Sequence, residues 1–106
     1  MSCLFCKIVT GEIPANKVFE DENFVVFHDL FPKAPAHVLV IPKKHIESLA
    51  HVQAEDSVLL GKMTLLLQDI AKQLKLSDGF KIAVNTGKGG GQEVFHLHYH
   101  LTGTPA

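Results

Sequence analysis

The sequence predicts an α+β fold, with about five strands in a mainly antiparallel sheet, one long helix and one short one. Two observations carry this. Apolar, β-branched runs follow one another with turn residues between them, the pattern of hairpins. One stretch near 54–76 instead repeats its apolar residues at helical spacing.

Each element has a local reason. Ser2 is placed to cap a short helix over about Cys3 to Val9, with Gly11 as its stop. Lys17 to Glu20 and Phe24 to Asp29 read as two strands joined by the turn Asp21-Glu22-Asn23. Pro32, Lys33 and Pro35 mark a loop. His37 to Ile41 is a buried strand closed by Pro42. Between Ala54 and Leu76, Val58, Leu59, Met63, Leu66, Leu67, Ile70, Ala71 and Leu74 line one face of a helix, and Ser77-Asp78-Gly79 ends it. Phe80 to Asn85 and Phe95 to Leu101 complete the strands. Leu65, Leu66 and Leu67 in succession widen the helix's apolar surface, which suits burial on two sides or a subunit interface.

A chain of 106 residues with 46% hydrophobic and 20% charged residues suits a single soluble domain, 1–106, with a modest core. A net charge of −1 suggests no nucleic-acid partner. No apolar stretch is long enough to span a membrane and the N-terminus lacks a signal-peptide layout, so a cytoplasmic protein is expected. All ten basic residues are lysines, so guanidinium clamping of a phosphate is not available.

The chemistry concentrates near the C-terminus. His96-Leu97-His98-Tyr99-His100-Leu101 places histidines at every second position. In an extended strand these share one face, with Leu97, Tyr99 and Leu101 on the other. Imidazole titrates near neutrality, binds metals and transfers protons or phosphoryl groups. The preceding run, Asn85 to Phe95, is dense in glycine. Such a loop is either a plain flexible connection or a cradle of backbone amides for an anion. Cys3 and Cys6 form a Cys-x-x-Cys pair, open to three readings: a redox pair, two inert thiols, or half of a zinc site.

These motifs resemble the histidine triad (HIT) family, and within it the Hint branch of bacterial type. Besides His96 to Leu101, the likeness covers Cys3 to Val9, Gly11-Glu12-Ile13-Pro14, Phe27-His28-Asp29, Ala34 to Ile46 and Asn85 to Phe95. The resemblance implies a HIT-like fold and a homodimer joined through the long helix and a sheet edge. It implies His98 as a nucleophile towards the α-phosphorus of a nucleotide, with His100 donating to a phosphate oxygen. His37 matches a further histidine facing the triad, either a proton donor or a structural group. Asp29 matches a carboxylate that takes ribose hydroxyls. Phe5, Phe27, His28, Leu30 and Leu39 would line the nucleoside pocket, and Asn85, Gly91, Gln92, Glu93 and Val94 the phosphate and leaving group. Cys3, Cys6, His45 and His96 would hold a structural zinc, with no cofactor needed for catalysis. His51 lies outside these segments and reads as surface. Two features depart from the Hint pattern. Glu93 stands where animal Hint proteins carry serine, and the chain ends six residues after His100, where Hint proteins continue in a tail.

The implied activity is hydrolysis of purine nucleoside phosphoramidates to a nucleoside monophosphate and an amine. The rival readings are a dinucleoside polyphosphate hydrolase, a non-enzymatic nucleotide-binding protein, and a His-x-His-x-His metal centre without nucleotide chemistry.

Overall fold

The computed structural model describes residues 3–106. Helix α1 (Leu4–Thr10) is followed by strands β1 (Lys17–Glu20), β2 (Phe24–His28) and β3 (Ala36–Pro42), helix α2 (Ser57–Gln73), β4 (Lys81–Ala83) and β5 (Tyr99–Gly103). Short 3₁₀ turns cover Leu49–His51, Ala54–Asp56 and Lys88–Gly90. All five strands form one antiparallel sheet in the order β1-β2-β3-β5-β4, as the hairpin pattern predicts.

The two central strands are buried on both faces, which is why their sequences read as unbroken apolar runs. Phe24, Val26, Val38 and Val40 pack towards α2 with Met63, Leu66, Leu67 and Ile70. Val25, Phe27, Leu39 and Ile41 face the other way and pack under α1 with Phe5 and Ile8. Leu97, Tyr99 and Leu101 join the α2 side. The alternation expected from the histidine row therefore holds. No helix among the described residues is long and apolar enough to cross a membrane.

Element limits differ from expectation at several points, each for a local reason. Ser2, the expected cap of α1, lies outside the described residues. Cys3 caps this helix instead, its Sγ accepting the Cys6 N–H at 3.2 Å. Gly11 ends it in the left-handed conformation, at φ 85°. The β1–β2 turn forms as read, because Asp21 Oδ1 accepts the N–H groups of Asn23 and Phe24, each at 2.8 Å. The long helix starts at Ser57, after the 3₁₀ turn, and ends at Gln73.

The last strand begins at Tyr99, not Phe95, so only His100 of the three histidines lies on a ladder. Pro42 opposite has no N–H to give, and its carbonyl is taken by the His96 ring at 2.8 Å. The Leu97 N–H goes instead to the Ile46 carbonyl at 2.7 Å. The β4 ladder ends at Ala83, whose pair is His100. At Lys81–Ala83 it is shorter than the expected 80–85.

An internal ion pair ties the start of α2 to the turn after β3. Lys44 Nζ lies 2.6 Å from Asp56 Oδ1, and Asp56 Oδ2 accepts the Gln53 N–H at 2.9 Å. The Lys44 hydrogen bond, then that from Gln53, holds the Asp56 carboxyl below its ordinary 3.8. Stability from such a group is present above the unfolded carboxylate value and lost as pH falls through the lowered folded one. Asp56→Asn is expected to lower Tm at neutral pH, with the gap to the parent closing as the solution is acidified below pH 3.8. A Tm difference that is independent of pH would contradict this.

Candidate active site

His96 and His98 each have one ring nitrogen committed to a backbone carbonyl, and that fixes what the other can do. His98 Nδ1 lies 2.7 Å from the His96 carbonyl. A carbonyl only accepts, so Nδ1 carries the proton and Nε2 keeps a free lone pair. His96 is the reverse case. Its Nε2 donates to the Pro42 carbonyl, so its lone pair sits on Nδ1. The structure buries both rings, at 0% exposed for His96 and 6% for His98. Burial pushes His98 below the ordinary histidine value of 6.5, against the His96 carbonyl and the Asp29 charge, which pull it up. The ring is therefore neutral at neutral pH, the form in which Nε2 is nucleophilic.

His100 is set by a relay. The Lys33 N–H donates to His37 Nδ1 at 3.1 Å. The proton of neutral His37 is thus on Nε2, which lies 3.0 Å from His100 Nδ1 and 3.5 Å from Asp29 Oδ2. His100 Nδ1 accepts, leaving Nε2–H as a donor. Burial, and then the charges of His98 and His37, lower the His100 pKa. Asp29 Oδ1 meanwhile accepts the Phe31 N–H at 2.8 Å, which fixes the carboxylate's orientation.

Across the His98 ring lies an apolar wall. Phe5 meets His98 edge-on at 5.1 Å between centroids and Phe27 at 5.4 Å. Leu39 is buried beneath them, whereas His28 and Leu30 stand at the surface, Leu30 at 87% exposed. The glycine loop precedes the triad segment. Asn85 Nδ2 donates to the Gly90 carbonyl at 2.9 Å, and Gly91 adopts φ 83°. Gln92 is buried, and its carboxamide is bound entirely to protein groups. Val94 is half-buried. Glu93 is exposed and, with Glu47, His45 and Phe95, lines an open cavity beside the cysteines. His51 lies at the surface, its Nε2 3.0 Å from Glu47 Oε2.

Cys3, Cys6, His45 and His96 converge from α1, the turn after β3 and the triad segment, with their ligand atoms all within 4.8 Å of one another. His96 Nδ1 lies 3.3 Å from Cys3 Sγ, 3.6 Å from Cys6 Sγ and 3.3 Å from His45 Nδ1, and Cys6 Sγ lies 3.3 Å from His45 Nδ1. A tetrahedron with two sulfur and two nitrogen ligands at ordinary bond lengths has edges of about 3.3–3.8 Å. The four residues therefore fit a metal ion, and the Pro42 carbonyl orients His96 for it. Burial first, and then Cys3, push the Cys6 thiol up to about 11, which an ion's charge would reverse.

Asp29, His37 and His100 form a second close group of potential ligands. Here the backbone opposes a metal. Ligation through His37 Nε2 would move its proton to Nδ1, against the Lys33 N–H. Cobalt(II) titrated into metal-stripped protein is accordingly expected to give a thiolate-to-cobalt charge-transfer band with the first equivalent. The band should be absent from Cys3→Ser/Cys6→Ser. A first equivalent without that band would assign the ion to the second group.

The sequence motifs identify the side chains, but not the Lys33, Pro42 and Ile46 backbone groups that set them, which carry no residue-type signal. Known proteins bear on the assembled site. The HIT domain family model matches residues 10–105. Protein HitA of Neisseria gonorrhoeae is 59% identical over 104 residues, covering 98% of this chain and 97% of that protein. A HIT family hydrolase from Legionella pneumophila superposes with a TM-score of 0.95 at 46% identity, covering 99% of this chain and 95% of the other. A histidine triad protein from Clostridium difficile gives 0.94 at 43% identity, covering 100% and 93%. With the triad, the sheet and the Cys-x-x-Cys pair all in place, the chain belongs to the HIT domain family.

Proposed function

We propose that this protein is a hydrolase of purine nucleoside phosphoramidates that works through a nucleotidyl-histidine. The observation that carries the reading is the neutral His98 ring, held by the His96 carbonyl so that its Nε2 lone pair is free beside the Phe5–Phe27 wall. The kinship with a HIT family hydrolase supports the reaction class. His98 Nε2 attacks the α-phosphorus, the P–N bond breaks, and the departing amine takes up a proton. His98, now bonded at Nε2 and protonated at Nδ1, is a good leaving group. Water then attacks the same phosphorus, the P–Nε2 bond breaks, and the water's second proton leaves to solvent. Nucleoside monophosphate and free His98 result. His100 Nε2–H serves a non-bridging oxygen, Asp29 the ribose hydroxyls, and the Phe5, Phe27, Leu30 and Leu39 surfaces the base.

Zinc suits the two-thiolate, two-imidazole donor set of Cys3, Cys6, His45 and His96. Four protein ligands close such a site, so the metal's contribution is structural, pinning α1 and the turn after β3 to the triad segment. Reduced cysteines and a nucleotide substrate both suit the cytoplasm. A homodimer is supported by Leu65 and Val58 of α2, which are 64% and 68% exposed, and by the unpaired outer edge of β4.

His98→Ala is expected to lower kcat on adenosine 5′-phosphoramidate by about a thousandfold or more while retaining AMP binding and the parental Tm. Near-parental turnover by the folded variant would overturn the mechanism. Chelator should leave wild-type turnover largely intact, since no step uses the metal, whereas a faster reaction with diadenosine polyphosphates would reassign the substrate. Light scattering at micromolar concentration should give twice the chain mass, and the single-chain mass would refute the dimer.

A further inference from the structure

Cys3 and Cys6 are the only two cysteines of the chain, and both stand on one turn. Cys3 caps α1 and Cys6 lies three residues on. The Cys3 carbonyl accepts the Lys7 N–H at 3.1 Å, so the turn between the two is closed. Residues three apart on a closed helical turn have Cα atoms about 5 Å apart, inside the range of about 4.4–6.8 Å that a disulfide spans. The two sulfurs also meet at one nitrogen, since His96 Nδ1 lies 3.3 Å from Cys3 Sγ and 3.6 Å from Cys6 Sγ. A bond between them can form within α1, without any strand changing place.

The pair is within reach of solvent. Cys6 is half-buried. Cys3 is buried but, with His45, borders an open cavity of about 450 Å³, ample for a small oxidant. The remaining ligands of the cluster, His45 and His96, come from other parts of the chain. Oxidation to a disulfide is open to the two sulfurs and to neither imidazole.

We propose that Cys3 and Cys6 form a thiol-oxidation site: a peroxide converts them to a disulfide, and the metal ion is lost in the same event. The inference rests on the metal reading of the cluster and is independent of the nucleotide reading. A metal-bound cysteine is a thiolate, the nucleophilic form. Cys6 Sγ attacks one oxygen of hydrogen peroxide, the O–O bond breaks, and the departing hydroxide takes a proton from solvent to leave as water. Cys6 is then a sulfenic acid. Cys3 Sγ attacks Cys6 Sγ, the S–O bond breaks, and the second hydroxide is likewise protonated to water. The sulfurs give up two electrons and the peroxide accepts two. Disulfide sulfurs carry no thiolate charge, so two imidazoles remain where a structural zinc takes four ligands. The step undoes the tie between the triad segment and α1, which carries Phe5 beside His98. A dithiol reductant reverses it by exchange.

The test starts from the chain reconstituted with zinc. Zinc content is read first, and a chain that takes up none overturns the metal reading and with it the release. Hydrogen peroxide is then added in the presence of a coloured zinc indicator. The cysteines are followed by mass on peptide 1–7, which cleavage after Lys7 releases with both of them. About one ion is expected to leave for each disulfide formed. The peptide should lose two hydrogens and react with no thiol reagent, and dithiothreitol should restore both the thiols and zinc uptake. Sulfinic acid on either cysteine without a disulfide overturns the proposal, as does a disulfide that joins two chains. So does a disulfide formed with the zinc retained, or a pair that stays reduced and loaded while the same peroxide oxidises free dithiothreitol.

Discussion

His96 has three polar functions and each serves a different part of the molecule. Nδ1 faces the two cysteines and His45. Nε2–H is given to the last residue of β3. The carbonyl accepts the Nδ1–H of His98 and so leaves the lone pair of that ring on Nε2. A ring held at both nitrogens cannot rotate, and its peptide is held with it. The orientation of His98 is therefore set by the same residue that anchors the metal-ligand cluster. The cluster that meets the N-terminal helix and the tautomer of His98 come together at one side chain that is wholly buried.

The sheet makes this arrangement affordable in a small chain. Its central strands are buried on both faces, so a single layer of strands separates two apolar clusters. The histidines lie on the α1 side and Leu97, Tyr99 and Leu101 on the α2 side. Burial of imidazoles costs free energy unless each polar nitrogen is matched. Here three of the matches come from main chain, two carbonyls from Pro42 and His96 and one amide from Lys33, and others from side chains such as Cys3 and His100. No buried side-chain nitrogen or oxygen among the described residues lacks a partner.

That division explains what was legible in the sequence. Period-two spacing puts His96, His98 and His100 on one face whether or not a ladder forms, so the row could be read although β5 starts only at Tyr99. Hairpin order and the Asp21 turn were local signals and gave the sheet. The grouping of Cys3 and Cys6 with His45 and His96, over separations of up to 93 residues, came only with the family likeness, because spacing cannot say which distant histidines a Cys-x-x-Cys pair will meet. The strand limits were lost to a long-range competition: Leu97 donates to Ile46, and Pro42 has nothing to return. Glycine density was a true sign of a tight loop and a poor guide to its free donors, since composition does not reveal which amides a fold will use for itself.

The absence of arginine gives these choices a common direction. A guanidinium would hold a phosphate by charge, in the substrate as well as in the transition state, and uniform binding of that kind does not raise kcat. Neutral imidazoles and amides act through directed hydrogen bonds, whose worth depends on where the oxygen sits. Such donors are useful only if their tautomers and peptide planes are fixed beforehand. The relay from Lys33 through His37 to His100 and the carbonyl behind His98 fix ring tautomers in this way, and the carboxamide of Gln92 fixes the loop before them. The histidine face of this chain is thus built from constraint on neutral groups in place of accumulated charge.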